Sequence, residues 1–207
     1  ARQRIEETYR RPLADRLLRG LLATVLPRPG LFRLALLGAR LARPLAGLLP
    51  GRLRGLAAMA PRRLAAPAAV DRPQIFPAVG ARVKRVALLS GCAQQVVAPE
   101  INEATVRLLT RHGCEVVIAP GAGCCGGLTH HLGRHALGFA KANIDAWLAA
   151  AAAGALDAIV INTSGCGVVI KDYGYLLRED AAYAEKAKLV SALARDVSEV
   201  MAELGLL

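Results

Sequence analysis

The chain has 207 residues, 54% of them hydrophobic and 4% aromatic, with a formal net charge of +11. That is enough apolar material for the core of one large or two small domains. Five cysteines, an odd number in a chain of this length, make a disulfide framework a poor reading and a reduced compartment the better one. The charge is uneven: residues 1–82 hold 16 Arg, no Lys and four acids, for +12, whereas residues 83–207 come to −1.

The opening "ARQRIEETYRR" is charged and mixed, unlike a signal peptide. It lacks an initiating Met, and the chain reads as an internal piece of a longer one. Leu13, Leu17, Leu18, Leu21, Leu22, Val25 and Leu26 recur at spacings of three and four, with Arg10, Arg11, Arg16 and Arg19 on other faces; this predicts an amphipathic helix. Pro27, Pro29 and Gly30 end it. A second helix is expected from Leu31 to Leu48, kinked at Pro44, and a third from Arg52 to Leu64. Residues 66–82 contain three prolines and read as an extended linker. The chain thus divides into a basic helical connector (1–65), a linker (66–82) and a second domain (83–207). The basic arm is expected to dock on an acidic partner; an anionic lipid surface and a plain solvated face are the alternatives. Nucleic acid is not expected, because no aromatic residues are interleaved with the arginines.

From Lys84 the pattern alternates. "VALLSGC" predicts a buried strand, Pro99 to His112 a helix with Ile101, Thr105, Leu108 and Leu109 as its apolar stripe, and "EVVIAP" a second strand followed by the loop "GAGCCGG". Leu132 to Ala152 predicts a long helix, "AIVINTSGC" a third strand and loop, and Val168–Leu177 and Tyr183–Leu204 two more helices. Strands alternating with helices indicate an α/β fold with a parallel sheet and crossover helices. The most apolar stretch, Ala146 to Ile161, is cut by Gly154 and Asp157, so no membrane span is expected.

Each predicted strand is followed by cysteine: Cys92, then Cys124 and Cys125, then Cys166. In a parallel sheet those three loops share the carboxyl edge, where ligand sites of open α/β sheets gather. Four thiols converging there suit a soft metal or an iron–sulfur centre. Gly91, Gly123, Gly126, Gly127, Gly165 and Gly167 are placed to bring backbone N–H groups to the sulfurs. Neighbouring Cys124 and Cys125 point apart in extended backbone, so both reach one centre only if the chain turns sharply or the centre holds several metal ions. That favours a cluster, with a single zinc as the alternative. A thiol–disulfide protein using Cys124 and Cys125 is a third reading, and small apolar packing is the bland one. Cys114 begins its strand at the opposite edge and reads as structural. His131 is a candidate ligand, orienting group or proton carrier; His130 is a weaker one, and His112 and His135 read as surface positions. Lys171, Asp172 and Tyr173 are candidates to line the same cleft.

The segments "LLSGCAQQVVAPEIN", "GCCGGLTHHLG", "NIDAW", "NTSGCGVVIKDYGYLL" and "DAAYAEKA" resemble the family of iron–sulfur subunits of bacterial glycolate oxidase. Its wider relatives carry the CCG cysteine-rich domain, as in heterodisulfide reductase and anaerobic glycerol-3-phosphate dehydrogenase. "RRPLADRLLRGLLATVLPRPGLFR" is similar to the helical connector of such subunits, so the resemblance covers nearly the whole chain. It implies an electron-transfer oxidoreductase subunit that is not catalytic alone. It implies an iron–sulfur cluster, 4Fe-4S in type, on Cys92, Cys124, Cys125 and Cys166, with His131, Gly126 and Gly165 around it. It also implies a flavoprotein partner, carrying FAD, that oxidises glycolate to glyoxylate, and an electron acceptor on the membrane or quinone side. The expected location is cytoplasmic and peripheral on the inner face of the membrane. Family members also have a ferredoxin-like module and a second CCG domain, neither of which is in this sequence. Where the heterodisulfide reductase pattern ends in Cys-x-x-Cys, Cys166–Gly167–Val168–Val169 supplies one cysteine.

Overall fold

The computed structural model describes residues 2–48, 51–134 and 136–205. His135 lies outside the described residues. The basic arm begins with α1 (Arg2–Thr8), α2 (Leu13–Val25) and α3 (Pro29–Ala42), continues in a 3₁₀ turn over Arg43–Leu48, and ends in α4 (Gly51–Met59). The expected kink at Pro44 is a change of helix type: proline cannot donate to the α-helical ladder, and the tighter turn takes over. Neither α2 nor α3 has a fully buried residue, and Leu13, Leu17, Leu21, Leu34, Leu41 and Leu45 are exposed. Polar contacts tie the arm to the rest of the chain, among them the pairing of Arg134 with Glu6 at 3.6 Å. Arg19 donates to the Leu132 carbonyl at 2.7 Å and to Glu6 at 3.0 Å, and Arg33 donates to the carbonyls of Ala65 and Gln95.

The remainder is built from β1 (Gln74–Phe76), β2 (Lys84–Leu88), α5 (Gln94–Val97), α6 (Glu100–Arg111), β3 (Cys114–Ile118), α7 (Gly127–His131), α8 (Leu137–Ala152), β4 (Ala158–Ile161), α9 (Ser164–Lys171), α10 (Tyr173–Leu176), α11 (Ala184–Leu193), β5 (Ala194–Asp196) and α12 (Val197–Leu204). The sheet order is β1-β3-β2-β4-β5. Strands β2, β3, β4 and β5 are parallel; β1 runs antiparallel along β3, pairing Gln74 with Ile118 and Phe76 with Val116. The stretch read as a linker therefore contributes an edge strand. Two further differences are that β5 interrupts the helix expected over Tyr183–Leu204, and that the long helix begins at Leu137 rather than Leu132. Three-residue strands carry too little periodicity to be read from sequence.

The two faces of the sheet follow from the alternation of side chains along each strand. Val86, Leu88, Val116, Ile118 and Val160 pack against Val106 and Leu109 of α6 and Val200 and Met201 of α12. Ala87, Leu89, Val117, Ile159 and Ile161 pack against Ile144 and Trp147 of α8, Val169 and Ile170 of α9, and Val190 of α11. Strands β2 and β4 are neighbours, but the chain leaves β2 towards α6 on one face and leaves β4 towards α9 on the other. Their carboxyl ends form the point where the winding reverses, and a crevice opens there in such sheets. Among the described residues no helix is long and apolar enough to cross a membrane.

The buried stripe of α6 is Asn102, Thr105, Val106, Leu109 and Thr110, which corrects the expected one: Ile101 is 42% exposed, and Leu109 is 0% exposed. Leu109→Ala should accordingly destabilise the fold by about 2–5 kcal/mol in urea unfolding, and Ile101→Ala by less than about 1 kcal/mol.

Candidate metal centre

Three backbone segments at the carboxyl edge carry the four thiols. Cys92 sits in the turn between β2 and α5, and Cys124 and Cys125 in the loop between β3 and α7. Cys166 is not in a loop, as expected, but in the first turn of α9, where its N–H donates to the Thr163 carbonyl at 3.0 Å. All four are free thiols; Cys124 and Cys125 are buried, and Cys92 and Cys166 are half-buried. The Cys125 thiol donates to Cys166 Sγ at 3.2 Å. Cys92 and Cys124, and Cys124 and Cys125, are also near enough for each thiol to shift the other's titration. The four thiols are thus neighbours at one edge of the sheet, with Cys125 and Cys166 in direct contact. Among the described residues no group of three or more His, Cys, Asp or Glu side chains is placed to hold a metal ion as the side chains stand. Cys114 is fully buried at the start of β3, at the far edge.

Gly126 answers the geometric problem of adjacent cysteines. It has φ +80°, a left-handed conformation that turns the chain sharply after the pair. Its N–H and that of Gly127 donate to Cys124 Sγ and Cys125 Sγ, both at 3.4 Å. A Cβ on Gly126 would lie 3.1 Å from the Ala136 carbonyl and 3.2 Å from Phe139 Cβ. Other glycines do different work. Gly123 N–H donates to Asn143, Gly167 N–H goes to the Thr163 carbonyl, and a Cβ on Gly167 would meet Asp196 Oδ1 at 2.6 Å. Gly165 is exposed, with open space around it.

Two side chains hold the Cys124–Cys125 backbone. Asn143 of α8, 1% exposed, accepts from Gly123 N–H at 2.7 Å and donates to the Cys124 carbonyl at 2.9 Å and to Tyr173 Oη at 3.1 Å. The Tyr173 hydroxyl donates to the Cys125 carbonyl at 2.8 Å. Tyr173 is therefore beneath the site rather than lining its mouth. Lys171 points away, paired with Asp196 at 2.9 Å and Glu199 at 2.7 Å. Asn143 was not singled out from sequence: α8 also carries Lys141 and Asp145, so nothing local marks its amide as the buried one. His131 is exposed in the last turn of α7, its ring 5.9 Å from that of His130. His112, expected at the surface, is half-buried, its Nδ1 2.8 Å from the Leu108 carbonyl.

The thiols titrate as a contacting set. Contact with Cys124 and then burial push Cys92 up. Cys124 is pushed up to about 11, first by its hydrogen bond with Cys125 and also by burial, against a lowering contact with Cys92. For Cys125 the hydrogen bond with Cys124 lowers, but contact with Cys166 and burial outweigh it and push it up to about 12. Cys166 moves down because Cys125 donates to it. The protonated thiol is thus favoured at three of the four positions, and a metal binding there would displace those protons. The donor set fits a thiophilic centre: four sulfurs, a buried floor and two backbone N–H groups already aimed at sulfur.

Residues 86–171 match the CCG cysteine-rich domain. The chain is 41% identical over 201 residues to the glycolate oxidase iron-sulfur subunit of Escherichia coli, covering 96% of this chain and 46% of that protein. It is 36% identical over 159 residues to the probable glycolate oxidase iron-sulfur subunit of Bacillus subtilis, covering 76% and 35%. Lactate utilization protein A of Halalkalibacterium halodurans is 28% identical over 119 residues, covering 56% and 46%. The chain therefore spans less than half the length of these curated relatives. No solved structure matches the chain.

Asn143→Leu should destabilise the protein by about 2–4 kcal/mol in urea unfolding, because Gly123 N–H and the Cys124 carbonyl lose a buried partner. Gly126→Ala adds a strained φ and a close contact, and should cost about 1–3 kcal/mol in the same assay.

Proposed function

We propose that this chain, a member of the CCG cysteine-rich domain family, is part of an electron-transfer subunit of a glycolate oxidase-type complex, and that Cys92, Cys124, Cys125 and Cys166 hold an iron–sulfur cluster in it. The observation that carries this reading is the gathering of four free thiols from three segments at one edge of the sheet, with Cys125 and Cys166 in contact. The similarity to iron-sulfur subunits over 96% of the chain supports it. A cluster bound there would take up and release electrons singly. The residues of the chain supply the thiolates, a buried floor, and N–H groups from Gly126 and Gly127 that stabilise charge on sulfur. We assign the cluster to the 4Fe-4S type, since adjacent Cys124 and Cys125 favour a centre larger than one ion.

The complex we envisage pairs this subunit with a flavoprotein, carrying FAD, that oxidises glycolate to glyoxylate, and passes electrons towards an acceptor at the membrane. It would lie in the cytoplasm, peripheral to the inner face. We assign the docking role to residues 1–65, joined through 66–82 to the CCG domain. Exposed arginines of this arm would meet an acidic protein surface, and the exposed leucines of α2 and α3 would be covered by it.

Iron and acid-labile sulfide analysis after anaerobic purification tests the assignment. Both should be present in the wild type, fall sharply in Cys124→Ser and Cys166→Ser, and stay at the wild-type level in Cys114→Ser. Zinc without sulfide, or equal metal in all three variants, would refute it. For the arm, affinity for the purified flavoprotein subunit should fall on the order of tenfold as salt rises from about 0.05 to about 0.5 M. Salt-insensitive binding would refute the electrostatic docking.

A further inference from the structure

The crevice between β2 and β4 is spanned by a network of amide and hydroxyl side chains. Gln94 follows Cys92 by two residues, and Asn162 and Thr163 precede Cys166 by four and three. Gln94 Nε2 donates to Asn162 Oδ1 at 2.8 Å, and Thr163 Oγ1 donates to Gln94 Oε1 at 2.6 Å. Asn162 Nδ2 donates to Asn102 Oδ1 and to Thr105 Oγ1, both at 2.9 Å. Asn102, buried in α6, accepts from Gln94 Nε2 as well, and donates to the Ser90 carbonyl at 2.9 Å and Asp71 Oδ1 at 2.6 Å.

Two features set this apart from ordinary polar packing. Thr163 is the N-cap residue of α9, a position where threonine normally caps with its hydroxyl. Here it makes no cap; the hydroxyl crosses the crevice to Gln94 instead. The network also joins the two segments bearing the half-buried sulfurs, Cys92 and Cys166, whereas Cys124 and Cys125 are buried and held from below by Asn143 and Tyr173. At the reversal point of an open α/β sheet, the two loops diverge to opposite faces and leave a gap. In this chain side chains bridge the gap beside the sulfurs.

We propose that the Gln94–Asn162–Thr163 clasp is a positioning device that locks the Cys92 turn to the first turn of α9 and limits access of solutes to those two sulfurs. The proposal deepens the reading of the four thiols as one site. Its residues act through the segments that carry Cys92 and Cys166.

The test uses the full chain, the exposed and nearly isosteric substitution Thr163→Val, and Thr163→Ser, which keeps the hydroxyl. Metal-free protein is alkylated with N-ethylmaleimide under anaerobic conditions, and each cysteine is followed by mass spectrometry. In Thr163→Val, Cys92 and Cys166 should react about fivefold faster than in the wild type, with Cys114 unchanged, and Thr163→Ser should restore the wild-type rates. Cys92 and Cys166 rates within about twofold of wild type, or an equal rise at Cys114, would overturn the clasp. In iron-loaded protein, Thr163→Val should start with the wild-type iron content and lose it to a chelator faster by a similar factor. A wild type that takes up no iron would defeat the cluster assignment, while the alkylation ratios would still decide the clasp.

Discussion

Two buried side chains decide whether the cysteine pair can face its partners. Asn143 and Tyr173 take the carbonyls of Cys124 and Cys125, and Asn143 also accepts the N–H of Gly123. A loop at the edge of a sheet has backbone groups without strand partners, and burying them unpaired would cost about 1–3 kcal/mol each. With those groups satisfied from α8 and α10, the loop can be buried and still turn at Gly126. The thiols then face Cys92 on one side and Cys166 on the other.

The topology supplies the remaining convergence. Strands β3, β2 and β4 lie side by side and parallel, so the segments after them share one edge although they are far apart in sequence. The winding changes face between β2 and β4, and the crevice this creates lies beside Cys92 and Cys166. The same sheet holds Cys114 at its opposite edge, where it packs with Val86 and Val116. Position on the sheet, not residue type, separates the four convergent thiols from the fifth. The arm is a different kind of object: Arg19, Arg33 and Glu6 make polar attachments to the rest of the chain, and its exposed leucines leave an amphipathic surface uncovered.

Much of this was legible in the sequence because period and punctuation agreed. The apolar runs before Cys92, Cys124 and Cys166 are short and end in glycine, which marks buried strands and places the cysteines after them. Adjacent cysteines followed by glycine posed the need for a turn, and Gly126 provides it. What escaped had no local signature. Gln74–Phe76 becomes a strand only because β3 offers a free edge, and Ala194–Asp196 only because β4 does. Cys166 lies in a helix because Thr163–Ser164–Gly165 starts α9 at once, without an intervening loop. The roles of Asn143, Asn162 and Thr163 depend on partners 19 to 69 residues away, which no window along the chain can display.

The central claim is that four sulfurs from three segments meet at one edge of the sheet and the fifth does not. Bifunctional alkylation of the metal-free full chain with a short thiol-to-thiol reagent, mapped by mass spectrometry, tests it most directly. The account predicts bridges between Cys92 and Cys124 and between Cys125 and Cys166, with Cys114 in none. Bridges to Cys114, or no bridge between the three segments while each thiol reacts singly, would contradict it.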